Sequence, residues 1–268
     1  NPPTAANPLT IQKSGIGANP LITAHTTGTS TTLDGLFILN GVDYVTINGI
    51  DLQENAANVT TTTQMEFGYA LLKTAAANGA QYNTIKNATV TLNKSNVASV
   101  GIYIGNHTTA STTALTVNTV SGTSSFNKFY NNTVTNSYNG YSLTGYASAA
   151  PFDFYDQGNQ IGVDGVSTRR NQVTNYGGNT NTASGIIATN QNGIKIFKTY
   201  INNSGGAAQT GTLNGISTVT GTNSNVDIYN DTAVIKHDHQ VAERFWNHQG
   251  IAERIQKDLP YIKNVYYK

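Results

Sequence analysis

One repeated phrase constrains this chain more than anything else in it. Gly35-Leu-Phe-Ile-Leu-Asn is followed by Tyr44-Val-Thr-Ile-Asn-Gly-Ile-Asp-Leu. Gly68-Tyr-Ala-Leu-Leu-Lys leads to Tyr82-Asn-Thr-Ile-Lys-Asn-Ala-Thr-Val-Thr-Leu, and Gly101-Ile-Tyr-Ile-Gly-Asn to Phe126-Asn-Lys-Phe-Tyr-Asn-Asn-Thr-Val-Thr-Asn. A degenerate unit surrounds Arg170-Asn-Gln-Val-Thr-Asn; two more begin at Gly185 and Gly215. The grammar is Gly-apolar-x-apolar, a variable insert, then x-apolar-x-Asn-x-x-apolar. Its apolar residues alternate over three to five positions, the period of a strand. Asn and Gly close each run, and both tolerate left-handed backbone at corners.

Such units fit either a parallel β-helix, one coil per repeat, or a sandwich joined by hairpins. Matching Gly and Asn corners and length variation confined to inserts favour an all-β, right-handed parallel β-helix over residues 1–236. Inward Ile, Val, Leu and Phe then stack on their equivalents one coil away, and corner Asn side chains form amide ladders. Residues 7–34 are expected to form the first coil. Inserts at 56–67, 107–125 and 144–160 are expected to project from one flank.

Composition narrows the function classes. Only 11% of the 268 residues are charged, yet there are 39 Thr, 34 Asn and 26 Gly. The polarity is therefore neutral. A net charge of +1 offers no field for nucleic acid. No apolar run is long enough to insert in a membrane, and without Cys there is no thiolate site or disulfide. The fifteen Tyr and eight Phe argue against disorder. The opening Asn-Pro-Pro, without Met or a leader, suggests a piece of a longer chain.

Asn7-Pro-Leu-Thr-Ile, the run from Asp43 through Asn55, Glu66-Phe-Gly-Tyr-Ala-Leu-Leu-Lys and Asn83-Thr-Ile-Lys-Asn resemble large secreted surface proteins of gliding and environmental bacteria. In that family right-handed β-helix repeats precede adhesive modules and a sorting domain read by the type IX secretion system. The likeness covers about residues 7–236. It implies an extracellular or cell-surface location and other domains in the parent chain. It also gives Asp231-Thr232-Ala233 the look of that family's short O-glycosylation motif.

Catalysis on polysaccharide needs acid/base carboxylates, or calcium ligands with a basic residue, gathered on one face. The ten acids before residue 237 are thinly spread. Asp153 and Asp156, upstream of Arg169 and Arg170, are the candidate set for a lyase or hydrolase acting on acidic polysaccharide; the competing reading is a solvated loop. No cofactor is expected beyond calcium at such a site. Tyr138, Tyr141 and Tyr146 are the candidate sugar platform, against a reading as half-buried packing residues. Thr runs such as Thr60 to Thr63 fall in inserts, not at one place on every coil, so they do not make an ice-binding array.

Residues 237–268 carry nine of the 29 charges, the only Trp and three of five His. Val241, Phe245, Ala252, Ile255 and Leu259 recur at helical spacing before Pro260, which predicts a short C-terminal α-helix over about 239–259. It is read first as a cap on the last coil, otherwise as the start of another domain or a joined foreign piece. His237 and His239, with His248, form a candidate metal site; the plainer reading is solvent-facing histidines. The sequence thus points to an extracellular structural or adhesive scaffold with weak affinity for surface glycans.

Overall fold

Strands form where apolar and polar residues alternate, and they end where Asn or Gly turns the chain. The computed structural model describes residues 2–28, 33–203, 211–221, 224–234 and 246–247. Nearly all of its regular structure is β, and it falls into three seven-stranded sheets. The first holds Leu9–Gln12, Val45–Asn48, Thr84–Lys86, Lys128–Tyr130, Gln160–Gly162, Ile194–Phe197 and Val226–Tyr229. The second holds Leu21–Thr23, Asp51–Gln53, Thr89–Thr91, Thr133–Thr135, Gln172–Thr174, Tyr200–Asn202 and Thr232–Val234. The third holds Gly35–Asn40, Phe67–Leu72, Val100–Ile104, Asn139–Thr144, Ala183–Thr189, Leu213–Val219 and Trp246–Asn247.

The chain visits the three sheets in fixed rotation, and each visit is called a rung below. All strand pairings in these sheets are parallel. Hairpin-joined antiparallel strands, the sandwich alternative, are therefore not the architecture. Register places like on like. Ile11, Ile47, Ile85, Phe129, Ile161, Ile196 and Ile228 form one column. Ile22, Leu52, Val90, Val134, Val173, Ile201 and Ala233 form the second. Phe37, Tyr69, Ile102, Tyr141, Ile186 and Ile216 form the third. One hydrophobic cluster joins the inward residues of all three sheets. A smaller one, with Phe67, Ala70, Leu72 and Val100, includes residues of the third sheet beneath Leu33.

The recurring Gly is explained by a close approach. A Cβ on Gly68, Gly101 or Gly140 would lie 2.4, 2.2 or 2.5 Å from a methyl of Val90, Val134 or Val173 on the second sheet. The recurring Asn is explained by backbone groups that need partners. Asn83, Asn127 and Asn159 are buried one above another, each side-chain oxygen accepting the N–H of a residue one rung earlier at 2.8–3.0 Å. Their amides donate to Val42, Ala80 and Ser124 carbonyls at 2.8–3.0 Å. Asn132 and Asn171 repeat the arrangement at the next corner. Asn87 and Asn131, with φ of 59° and 58°, supply the left-handed turns between first and second sheets.

Four expectations need correction. Gly35–Asn40 belongs to the first rung, which therefore extends past residue 34. The insert at 56–67 joins second to third sheet, whereas 107–125 and 144–160 join third to first, so the three do not share one connection. Gln160–Gly162, expected at the end of an insert, is the fifth rung's first-sheet strand. Most of the C-terminal segment, including His237, His239 and His248, lies outside the described residues. Within it, Trp246–Asn247 is strand paired to Ile216 and Ser217, so the backbone there is extended and not helical.

Candidate functional site

The Asp153, Asp156, Arg169 and Arg170 set is not brought together. Asp156 starts a two-residue strand paired to Gln191–Asn192, which turns its carboxylate into the interior. It accepts from the Ser124 N–H at 2.8 Å and from Gln191 Nε2 at 3.4 Å. Lys73 Nζ, also wholly buried, stands 4.0 Å away and donates to the Gly122 carbonyl at 2.5 Å and to Ser124 Oγ at 3.1 Å. Burial pushes the Asp156 carboxyl up and the Lys73 amine down, each opposed by the charge of the other. Asp153 is exposed. A substrate reaching Asp153 has no path to Asp156, so the pair cannot share acid and base roles on one glycosidic bond. Arg169 and Arg170 are exposed over the second sheet. Arg169 donates to Thr133 Oγ1 at 3.2 Å, and the Arg170 guanidinium lies 4.6 Å from the Tyr200 ring centre.

The predicted sugar platform is also corrected. Tyr141 occupies an inward slot of the third sheet between Ile102 and Ile186, where alternation sends it to the core. It meets Phe129 edge-on at 6.2 Å. Tyr138 is buried and donates to the Asn181 carbonyl at 2.6 Å. Only Tyr146 retains partial exposure.

An aromatic column does stand on the surface, at a different place. Tyr44, Tyr82 and Phe126 lie one per rung at the corner entering the first sheet. Their rings stack at 4.9 Å with interplanar angles of 0° and 13°. Tyr82 is 43% and Phe126 36% exposed. All three have left-handed backbone, with φ of 56°, 56° and 59°; Gly158 and Gly193 take this corner in the next two rungs with φ of 60° and 72°. A bulky residue at such φ is strained, and residues of this kind gather at functional places. Ring faces within the column cover one another, so it presents edges, flanked by the outward Thr46, Thr84 and Lys128. The signal was legible: each aromatic stands three residues ahead of Ile47, Ile85 or Phe129. Phe197 and Tyr229 form a second outer stack at 5.2 Å.

Threonines sharing a fixed place also exist, outside the Thr60 to Thr63 run. Thr91, Thr135 and Thr174 are in register on the outer face of the second sheet, with Thr89 and Thr133 beside them. Among the described residues no three His, Cys, Asp or Glu side chains are grouped to hold a metal, and no helix is long and apolar enough to cross a membrane.

Buried acids give the molecule an unusual pH response. Burial raises Asp43 and Glu66, and raises Asp231 to about 7 against the pull of the Thr199 N–H at 2.6 Å. Raised acids bind more protons folded than unfolded, so stability should fall as pH rises from about 4 to 7. Asp231→Asn is expected to gain about 2 kcal/mol at pH 8, less than the full shift implies because the side chain is only partly buried, and to gain little at pH 4. Urea melts of both proteins at the two pH values check this; equal gains at both would refute the assignment to Asp231.

The sequence matches no family model, and no curated protein or solved structure matches it.

Proposed function

We propose that this chain is a right-handed parallel β-helix module of a secreted bacterial surface protein, exported by the type IX route, and that it acts as a stiff structural and adhesive scaffold. The observation that carries the reading is the fixed rotation through three parallel sheets with like residues in register. Parallel strands joined by a crossover within one sheet are right-handed in nearly all proteins, which supports the hand. Seven rungs at ~4.8 Å span about 34 Å along the stacking axis, a block that further rungs in a longer parent chain would draw out into a rod. The neutral outer faces suit a spacer. Weak glycan contact belongs to the flank carrying Tyr44, Tyr82 and Phe126, where the tyrosine hydroxyls and the outward Thr46 and Thr84 can hydrogen-bond sugar hydroxyls, in place of Tyr138 and Tyr141.

Two measurements test the reading. Single-molecule pulling from the two ends should show the stack holding as one unit and then giving way in a discrete event; gradual extension without such an event would remove the scaffold role. A panel of bacterial and algal polysaccharides should show weak binding without release of reducing or unsaturated ends. The Tyr82→Ala, Phe126→Ala double variant is expected to weaken that binding about tenfold, an effect of ~1.4 kcal/mol. Chain cleavage by the wild type would replace the scaffold reading with an enzymatic one.

A further inference from the structure

A scaffold that only stacks rungs needs neutral corner side chains like Asn159 and has no need of the charges of Lys73 and Asp156. Both are wholly buried at 0% exposure, whereas the other buried acids, Glu54 and Glu66, keep 5%. As an ion pair they are poorly built: 4.0 Å is too long for a hydrogen bond, and a buried pair offsets its desolvation only with close, well-bonded geometry.

We propose that Lys73 and Asp156 are the partners of an intramolecular amide bond, formed by condensation of the Nζ amine with the Cγ carboxyl after folding. The surroundings fit that step. Both groups are driven towards their uncharged, reactive forms by burial. A neutral amine has two N–H bonds, and two acceptors are at hand, the Gly122 carbonyl at 2.5 Å and Ser124 Oγ at 3.1 Å. Donation to both leaves its lone pair free. The Ser124 N–H at 2.8 Å from Oδ1 is placed to stabilise negative charge on that oxygen as the lone pair adds to Cγ. Gln191 Nε2 lies 3.4 Å from Oδ2. The C–N bond forms, the bond from Cγ to the acid hydroxyl breaks, and that hydroxyl leaves as water with one amine proton. The remaining amide N–H keeps the Gly122 carbonyl as acceptor. No oxidant or cofactor is needed, and the fold supplies the proximity that makes condensation of two side chains favourable. Ser124 touches both partners and is a positioning residue. The bond would staple the end of the second rung's third-sheet strand to the entry of the fifth rung, across 83 residues (156 minus 73).

The test is the intact mass of the purified full chain, followed by proteolysis and peptide sequencing. The expected result is a mass lighter than the sequence by one water and a branched peptide joining Lys73 to Asp156. Asp156→Asn should lose one ammonia instead, because the bond from Cγ to Nδ2 then breaks and that nitrogen leaves as ammonia with one proton from the Lys73 amine. Lys73→Met should show its full sequence mass. A wild-type chain at full sequence mass would overturn the proposal. So would a water loss traced to a cyclised residue elsewhere. Either result leaves the scaffold reading untouched, since that rests on the parallel, in-register stacking of the rungs and on its resistance to pulling.

Discussion

Gly140→Ala is expected to destabilise the protein by about 3 kcal/mol, at the upper end of overpacking costs. The new Cβ would sit 2.3 Å from the Gly185 carbonyl oxygen and 2.5 Å from Val173 Cγ1. The first obstacle is backbone, held in register between Tyr141 and Ile186 on adjoining third-sheet strands. It cannot rotate away as a side chain can. The methyl of Val173 lies in the second-sheet column, itself packed between Val134 and Ile201. Relief therefore requires the third sheet to move from the second over more than one rung. Gly165→Ala supplies the control. Nothing lies within 4 Å of its added Cβ, so it should stay within about 0.5 kcal/mol of wild type. Urea unfolding of the three proteins decides the matter, and a Gly140→Ala midpoint equal to wild type would show that the sheets do not approach as described.

That same glycine shows what could be read before any coordinates. Gly68, Gly101, Gly140 and Gly185 occupy the strand of each unit, and all but Gly140 headed a repeat in the sequence; their recurrence announced a constraint, though not that Val90, Val134 and Val173 impose it. Strand period and Asn corners were likewise legible, because both depend on a residue and its near neighbours. Two kinds of feature were not. Parity within a strand sends Tyr141 inward, and parity depends on where Gly140 sets the register. Burial of Asp156 depends on Lys73 and Ser124, distant in sequence and brought together only when rungs stack. An acid in a long polar insert looks solvated in sequence and is sealed in space. Tyr44, Tyr82 and Phe126 were within reach at a constant offset from the core column, but inserts of unequal length between them hid the repetition.

Asn127→Ala should cost about 3 kcal/mol, for a different reason. The Asn127 side chain fills no large volume; it satisfies backbone groups that have no water within reach. Its oxygen accepts from the Asn83 N–H at 3.0 Å and the Asn83 amide at 3.2 Å, and its own amide donates to the Ala80 carbonyl at 2.9 Å. Removal strands the Asn83 N–H and the Ala80 oxygen in the interior, at roughly 1–3 kcal/mol each. The Asn83 amide keeps Val42 as a second acceptor, so it adds little. Asn127→Asp separates hydrogen bonding from cavity effects. At pH 7 the carboxylate keeps the acceptor facing Asn83, loses the donor facing Ala80 and places a charge in a dry site. Burial raises such a carboxyl, so as pH falls from 7 towards about 4 it takes up a proton and regains the donor, and acid should restore part of the lost stability to the Asp variant and none to Ala. Thermal melts across that range test it, with wild type as the reference for the general rise in stability at low pH. Parallel behaviour of the two variants would mean that the amide column fills space without carrying the corner's hydrogen bonds, and the reason Asn recurs at this place in successive rungs would have to be sought elsewhere.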